Sequence, residues 1–374
     1  MWQCLRHFLR PRTPLLLTPG PLSTSPYVRA KMRVDYPSRD ATFSALTTRI
    51  ITDVRALVNG NDKTVVALLP GSGTYAIEAM LRSSVATNDH VLIIDNGAYG
   101  ARIADIAAQA QLAHTRQKHD PYVSLDLSAI EEALKSNKAI THIAMTYCET
   151  SSGMLNPYES VLQLGCRYGK TLLVDAMSAF GALPLSLPRG THAGRLVIAA
   201  SANKCLEGAP GLAFVIANPQ ALQATSTSLS LDVQAQYAFM QKTQQFRFTP
   251  PVQVVAACAE ALRRHKAEGG VDARHKRYQK NAHILIDGMQ NLGFATVLQD
   301  KDLSPIIVSF HRPPALDFQA FYHALWKRGF AIYPGKLLDI DSFRVGCIGH
   351  VFPRDMHRFL RAVKASRKAL AKKP

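Results

Sequence analysis

From about residue 64 to 217 the chain alternates short apolar runs with stretches of helical periodicity, and this alternation constrains the fold more than any other feature. The apolar runs lie at 65–69, 91–95, 142–148, 171–176, 196–201 and 211–217, with helical patterns at 99–113, 127–135 and 158–169. Strands separated by helices pair side by side only through crossovers, so an α/β domain with a mainly parallel sheet is expected. After Pro250-Pro251 the pattern changes. It becomes a long helical reading over 252–292 with a break at Gly269-Gly270, a strand at 306–310, and helices at 317–328 and 353–369. The expected organisation is a basic extension at 1–14, a large domain at 15–250, and a smaller α+β domain at 251–374 to which the N-terminal segment contributes.

Composition narrows the partners. With 374 residues and 47% hydrophobic content the chain can bury two cores. No apolar run reaches the roughly 18 residues that a bilayer span needs, so no membrane partner is expected. The six cysteines, Cys4, Cys148, Cys166, Cys205, Cys258 and Cys347, form no C-x-x-C pair and sit mostly among apolar residues. They read as reduced core cysteines of a cytoplasmic protein, with no metal site. The formal net charge of +17 raises the question of an anionic partner. Its clusters, Arg263-Arg264-His265-Lys266, Arg274-His275-Lys276-Arg277 and Arg367-Lys368 with Lys372-Lys373, fall at helical spacing and carry no nucleic-acid-binding signature, so they read as solvated faces. Residues 1–14 hold Arg6, Arg10 and Arg12 and no acid, which fits either a targeting segment or a tail; Pro11 and Pro14 interrupt it.

Three short segments carry chemistry. Gly71-Ser72-Gly73-Thr74 joins an apolar strand to a helical pattern. Freed N–H groups beside a hydroxyl make a phosphate cradle there, although the same residues also serve as a plain strand-to-helix connection. Asp175 closes the apolar run 171–174, at the edge where open α/β sheets bind ligands, and reads either as a site carboxylate or as a turn cap. Lys204, in Ser201-Ala202-Asn203-Lys204, directly follows another apolar run. A lysine aimed into a closed site loses proton affinity, and its neutral amine can attack an aldehyde and hold it as an imine. Cradle, aspartate and lysine in this order match the phosphate, ring nitrogen and aldehyde of pyridoxal 5'-phosphate, PLP.

Longer stretches extend the match: 15–22, 71–79, 96–102, 149–157, 168–171, 174–178, 201–205, 247–251, 332–336 and 343–349. Over about 14–365 the chain resembles the class V aminotransferases of fold type I, and among them the 2-aminoethylphosphonate–pyruvate transaminases. The resemblance implies a PLP-dependent transferase of phosphonate degradation that turns 2-aminoethylphosphonate and pyruvate into phosphonoacetaldehyde and L-alanine by a ping-pong mechanism. The alternative is a sister enzyme acting on alanine or serine with glyoxylate, or on a hydroxylated aminophosphonate.

By the same resemblance Lys204 is the cofactor-bearing lysine and the proton shuttle, and Asp175 partners the pyridine nitrogen. Ser72, Gly73 and Thr74 hold the phosphate, Tyr99 stacks on the ring, and Thr150 lies near the pyridine oxygen. Thr249 reaches the phosphate of the other subunit, which implies a homodimer with shared active sites. Arg344 binds the acidic group of the substrate, its planar fork suiting carboxylate and phosphonate alike. Two departures bear on the choice of amine: a longer loop at 185–195, and the segment Val233-Gln234-Ala235-Gln236-Tyr237, which lacks an expected acid and tryptophan.

Overall fold

The structure, a computed structural model, describes residues 13–222, 224–335 and 340–371. Most of the basic extension at 1–14, Lys336 of the 332–336 stretch, and Lys372-Lys373 lie outside the described residues.

Seven strands form the main sheet: β1 (Val65–Gly71), β2 (His90–Asp95), β3 (His114–Lys118), β4 (Ile140–Thr146), β5 (Thr171–Asp175), β6 (Leu196–Ser201) and β7 (Gly211–Ala217). Their order across the sheet is β1-β7-β6-β5-β4-β2-β3. Only β7 is reversed; it pairs antiparallel with both β1 and β6, while the remaining pairs are parallel. Successive side chains point to opposite faces. Leu172 and Val174 therefore join one core with Ile143, Met145 and Ile198, and Leu173 joins the other with Ile93, Ala144 and Val197. Both faces are covered, which explains why these strands read as unbroken apolar runs. Each fully buried aliphatic side chain here contributes roughly 2 kcal/mol.

Helices α1 (Pro26–Lys31), α2 (Ala41–Leu57), α3 (Gly73–Ser84), α4 (Ala98–Gln109), α5 (Leu127–Ser136), α6 (Tyr158–Arg167) and α7 (Val233–Thr243) precede the Pro250-Pro251 step. In α2, Asp40 caps the first turn by accepting from the Thr42 N–H at 2.7 Å. Phe43, Thr47, Ile50 and Val54 then form its buried stripe, spaced by three and four. The long helical reading resolves into α8 (Val252–Glu268) and α9 (Gly270–Asn291). Gly269 lies between them at φ +114°, where a side chain would be strained. Val255, Cys258 and Leu262 of α8 pack into the core of the main sheet.

A second sheet, β8 (Ile307–His311), β10 (Ser342–Gly346) and β9 (Tyr333–Pro334), is backed by α10 (Phe318–Lys327) and α11 (Pro353–Leu370). Its core holds Phe294, Phe310, Phe321, Phe343 and Phe359. Phe294 meets Phe343 edge-on at 5.4 Å, and Phe310 stacks on Phe343 at 5.8 Å. Leu15–Leu16 adds a parallel pairing to Phe330–Ala331, tying the N-terminal segment to this core. Because Phe343 and Val345 point into the aromatic cluster, Arg344 points away from it. No helix among the described residues is long and apolar enough to cross a membrane. The five described cysteines are unpaired.

Candidate active site

The carboxyl ends of β1, β4, β5 and β6 meet at one edge of the sheet. Reversed β7 begins there, with Gly211 paired to Gly71. A cavity of about 520 Å³ opens at this edge. Gly71 lines it from the end of β1, Ser72, Gly73 and Thr74 from the start of α3, Thr146 from the end of β4, Asp175 from the end of β5, Ser201 from the end of β6, and Asn203 and Lys204 from the turn that follows.

Lys204 enters the cavity as an amine already made less basic, because burial pushes its pKa below that of an ordinary lysine. Its Nζ donates to the Pro19 carbonyl at 2.7 Å. Gly20 lies against the same side chain, and a Cβ built on it would fall 2.8 Å from Lys204 Cδ and 2.9 Å from Cε. With φ at +130° as well, position 20 admits only glycine, and the lysine runs through the space so created.

Asp175 is buried and accepts from the Met177 N–H at 2.9 Å. Burial, the largest cause, raises its pKa from the ordinary 3.8 to about 6, against the lowering effects of the Met177 hydrogen bond and the Lys204 charge. Folding thus disfavours the ionised form, so stability falls as pH rises from 3.8 to 6 and stays lower above that window. A rise from 3.8 to about 6 corresponds to roughly 3 kcal/mol at pH 8. Asp175→Asn keeps an acceptor for Met177 and removes the ionisation. In the ligand-free protein it is expected to resist urea unfolding better than the parent at pH 8, with the gain shrinking by about half at pH 5. Equal stability of the two proteins at pH 8 would contradict this account.

One end of the cavity lies at the start of α3. Ser72 is the N-cap residue and makes no side-chain cap bond, which leaves its hydroxyl and the N–H groups of Gly73 and Thr74 to an anion at the positive end of the helix, while the Tyr75 N–H donates to the Ser72 carbonyl at 3.0 Å. Gly73 permits close approach to the segment after Asp175, since a Cβ there would lie 3.0 Å from Met177 Cγ. Thr146, beside Asp175 in the sheet register, has a buried hydroxyl oxygen with no partner among the described residues. An unsatisfied polar atom in a cavity wall marks a place where a ligand can complete the hydrogen bonding.

Tyr99 lines the cavity from the first turn of α4, with the Arg102 guanidinium carbon 4.9 Å from its ring centroid. Fully buried Glu149 fixes that turn. Its carboxylate accepts from the N–H groups of Tyr99 at 3.0 Å and Gly100 at 3.3 Å, and also from the Ser151 N–H and hydroxyl. Gly97 clears space for it, as a Cβ there would lie 2.6 Å from Glu149 Cγ and Cδ. Thr150, next to Glu149, lines the cavity.

Arg344 is buried behind Thr150. Its Nη1 donates to the Thr150 carbonyl at 2.7 Å, and Nε and Nη2 donate to the Pro334 carbonyl at 3.3 and 3.2 Å. Among the described residues no carboxylate is within ion-pair reach of it. The cation is thus held by two carbonyl oxygens and stands ready for an anion.

Ser72, Gly73, Thr74, Tyr99, Thr150, Asp175 and Lys204 share one cavity. Arg344 adjoins it through the Thr150 carbonyl and does not line it. Thr249 lies elsewhere, in a shallow depression of about 300 Å³ with Ser38, Arg39 and Phe248. Sequence reasoning gave no role to Gly20, Thr146 or Glu149. Gly20 and Glu149 stand inside stretches singled out by resemblance, and an acid ending an apolar strand was a usable signal for Glu149. Nothing in the sequence marks Thr146, whose orphaned hydroxyl is a property of the packed edge.

Comparison with known proteins agrees with this geometry. A family model described as Aminotransferase class-V matches residues 28–337. The chain is 45% identical over 366 residues to a 2-aminoethylphosphonate–pyruvate transaminase of Rhizobium meliloti, covering 96% of this chain and 94% of that one. It is 44% identical over 355 residues to a protein of the same name from Paraburkholderia phymatum, covering 94% and 95%. The fold is similar to that of an alanine–glyoxylate aminotransferase from Nostoc sp., with a TM-score of 0.87, 24% identity and 96% of each chain covered. It is also similar to a pyridoxamine–pyruvate aminotransferase from Mesorhizobium loti, with a TM-score of 0.85, 23% identity and 96% and 94% covered. With five-sixths of its length matched by the family and a lysine, an aspartate and a helix start converging on one cavity, the chain belongs to the class-V aminotransferases.

Proposed function

We propose that this enzyme transfers the amino group of 2-aminoethylphosphonate to pyruvate, giving phosphonoacetaldehyde and L-alanine in two half-reactions with PLP, in the degradation of phosphonates. The observation that carries the reading is the near-complete coverage, at 44–45% identity, of relatives bearing that name. A buried arginine beside the cavity, held by carbonyl oxygens and without a carboxylate partner among the described residues, supports it, because both substrates present an acidic group.

The cavity fits PLP. Its wall supplies a helix start for a phosphate, a carboxyl for a ring nitrogen, an amine for an aldehyde, and the orphaned Thr146 hydroxyl as a further polar contact. The bound cofactor supplies an electron sink that makes the proton on the carbon bearing the substrate's amino group removable. In our reading Ser72, Gly73 and Thr74 would bind its phosphate, Asp175 would keep a proton at its ring nitrogen, and Thr150 and Tyr99 would contact its ring. Lys204 would hold the cofactor through its amine and would move the substrate's proton as base and acid. Its lowered proton affinity keeps a neutral fraction available for both tasks. Arg344 orients the phosphonate in one half-reaction and the pyruvate carboxylate in the other, while Glu149 holds the turn that carries Tyr99.

We further propose a homodimer. Thr249 serves the phosphate of the partner's site in this reading, which accounts for its distance from the cavity of its own chain. Phe248 and Leu229, 49% and 75% exposed, give that face the apolar character of an interface.

Purified protein supplied with PLP, 2-aminoethylphosphonate and pyruvate is expected to release L-alanine and phosphonoacetaldehyde in equal amounts, measured by chromatography. No alanine, together with robust turnover of serine or alanine against glyoxylate, would reassign the substrate within the family.

A further inference from the structure

Three residues beyond Lys204, Glu207 occupies the left-handed region at φ +62°, where a residue with a Cβ is uncommon. Its carboxylate is buried and heavily engaged. Oε1 accepts from Arg277 Nη2 at 2.6 Å and from the Tyr278 hydroxyl at 2.8 Å, and lies 3.4 Å from Arg274 Nη1. The backbone of the same turn is closed on itself. The Glu207 N–H donates to the Lys204 carbonyl at 2.8 Å, the Gly208 N–H donates to the Ala202 carbonyl at 2.7 Å, and Arg274 donates to the Cys205 carbonyl.

The other end of this network reaches the segment that follows Arg344. Arg277 Nη1 donates to the carbonyls of Gly349 at 2.9 Å and Val351 at 2.8 Å, and the Gly349 N–H donates to the Tyr278 hydroxyl at 3.2 Å. That segment leaves β10 two residues after Arg344. Glu268 pairs with both arginines, at 2.8 Å to Arg274 and 2.7 Å to Arg277, so the two cations stay in place without depending on Glu207 alone.

We propose that Glu207 is a positioning residue: through Arg277 and Tyr278 it locks the turn bearing Lys204 to the strand bearing Arg344, fixing the amine relative to the acid-binding group. The inference rests on the reading of Lys204 as the cofactor-bearing amine. A left-handed residue held by its side chain into a buried cationic network adds to the turn's own hydrogen bonds a restraint that reaches outside the turn. Misplacement by about an ångström at a reacting centre costs up to roughly 100-fold in rate.

The test uses the full-length, PLP-loaded protein and three variants. Glu207→Gly suits the left-handed backbone and removes the clamp, Glu207→Gln keeps an acceptor without the charge, and Tyr278→Phe removes the hydroxyl that donates to Glu207 and accepts from the Gly349 N–H. Expected for Glu207→Gly are a kcat at least about tenfold lower, a KM for the amine within about twofold of the parent, and PLP bound about tenfold more weakly when titrated into cofactor-free protein. Glu207→Gln is expected to recover part of both losses, and Tyr278→Phe to lower kcat by more than its loss of folded fraction accounts for. Parental kcat and PLP affinity in Glu207→Gly would overturn the clamp, since the backbone alone would then set the turn. So would losses that simply follow the folded fraction, with Tyr278→Phe at parental kcat. A parent protein lacking any Lys204-dependent absorbance band would instead strike the reading of Lys204, and the inference with it.

Discussion

Lys204→Ala is expected to remove the visible absorbance of the PLP-loaded protein and to lower transamination by at least about 10⁴-fold, because one side chain performs both the covalent and the proton-moving work. The protein is expected to fold. The lysine's Nζ has a single described partner, the Pro19 carbonyl, and its burial lowers its proton affinity, so the amine contributes little to stability. The decisive comparison is therefore activity against folded fraction, measured by absorbance, turnover and thermal unfolding on the same sample. Retention of the visible band by a folded Lys204→Ala protein would place the cofactor on another amine and reject the assignment.

The strands that build this site were legible for a physical reason. β4, β5 and β6 are buried on both faces, so each reads as an apolar run, and the residue ending the run falls at the ligand-binding edge. Asp175 ends β5, and Lys204 follows three residues after Ser201 at the end of β6. The edge strand β3 was not legible, because His114-Thr115-Arg116-Gln117-Lys118 is half solvated and carries no apolar run. The reversal of β7 was equally hidden, since burial on both faces gives the same pattern whichever way a strand points. Glycine roles depend on what comes close in space. Gly20 is adjacent to Lys204 only after 184 residues of chain have folded around the sheet, so sequence reasoning found a motif there and no reason for it.

The site also shows why its inner residues and its supporting carboxylates obey different rules. Asp175 and Lys204 are buried with few partners, and burial moves both toward neutrality. Glu149 and Glu207 are buried as well, yet each is surrounded by donors; burial raises the Glu149 pKa too, and the hydrogen bonds from Ser151, Tyr99 and Gly100 work against that rise. A carboxylate that is fully engaged rigidifies its surroundings, whereas one left under-satisfied stays free to answer a ligand. Chemistry and support are thereby divided between neighbouring residues on the same strands and turns.

That division sets the expectation for Arg344, whose guanidinium belongs to the under-satisfied class. Arg344→Ala is expected to lower kcat/KM about 10³-fold for both 2-aminoethylphosphonate and pyruvate, about 4 kcal/mol of lost recognition for each. Loss in both half-reactions follows from a single cation serving two acidic groups in turn, and single-turnover measurements with each substrate separate them. Arg344→Lys keeps the charge and loses the planar fork, so an intermediate loss of about 10²-fold is expected. Stability changes too, because the carbonyls of Thr150 and Pro334 lose their donors; in a dry site this costs roughly 1–3 kcal/mol per group, visible in urea unfolding. A variant impaired with pyruvate but fully active with the phosphonate would show that the two acids use separate sites, and the phosphonate would then have to be held by another cation, for which Arg102, lining the cavity beside Tyr99, is a described choice.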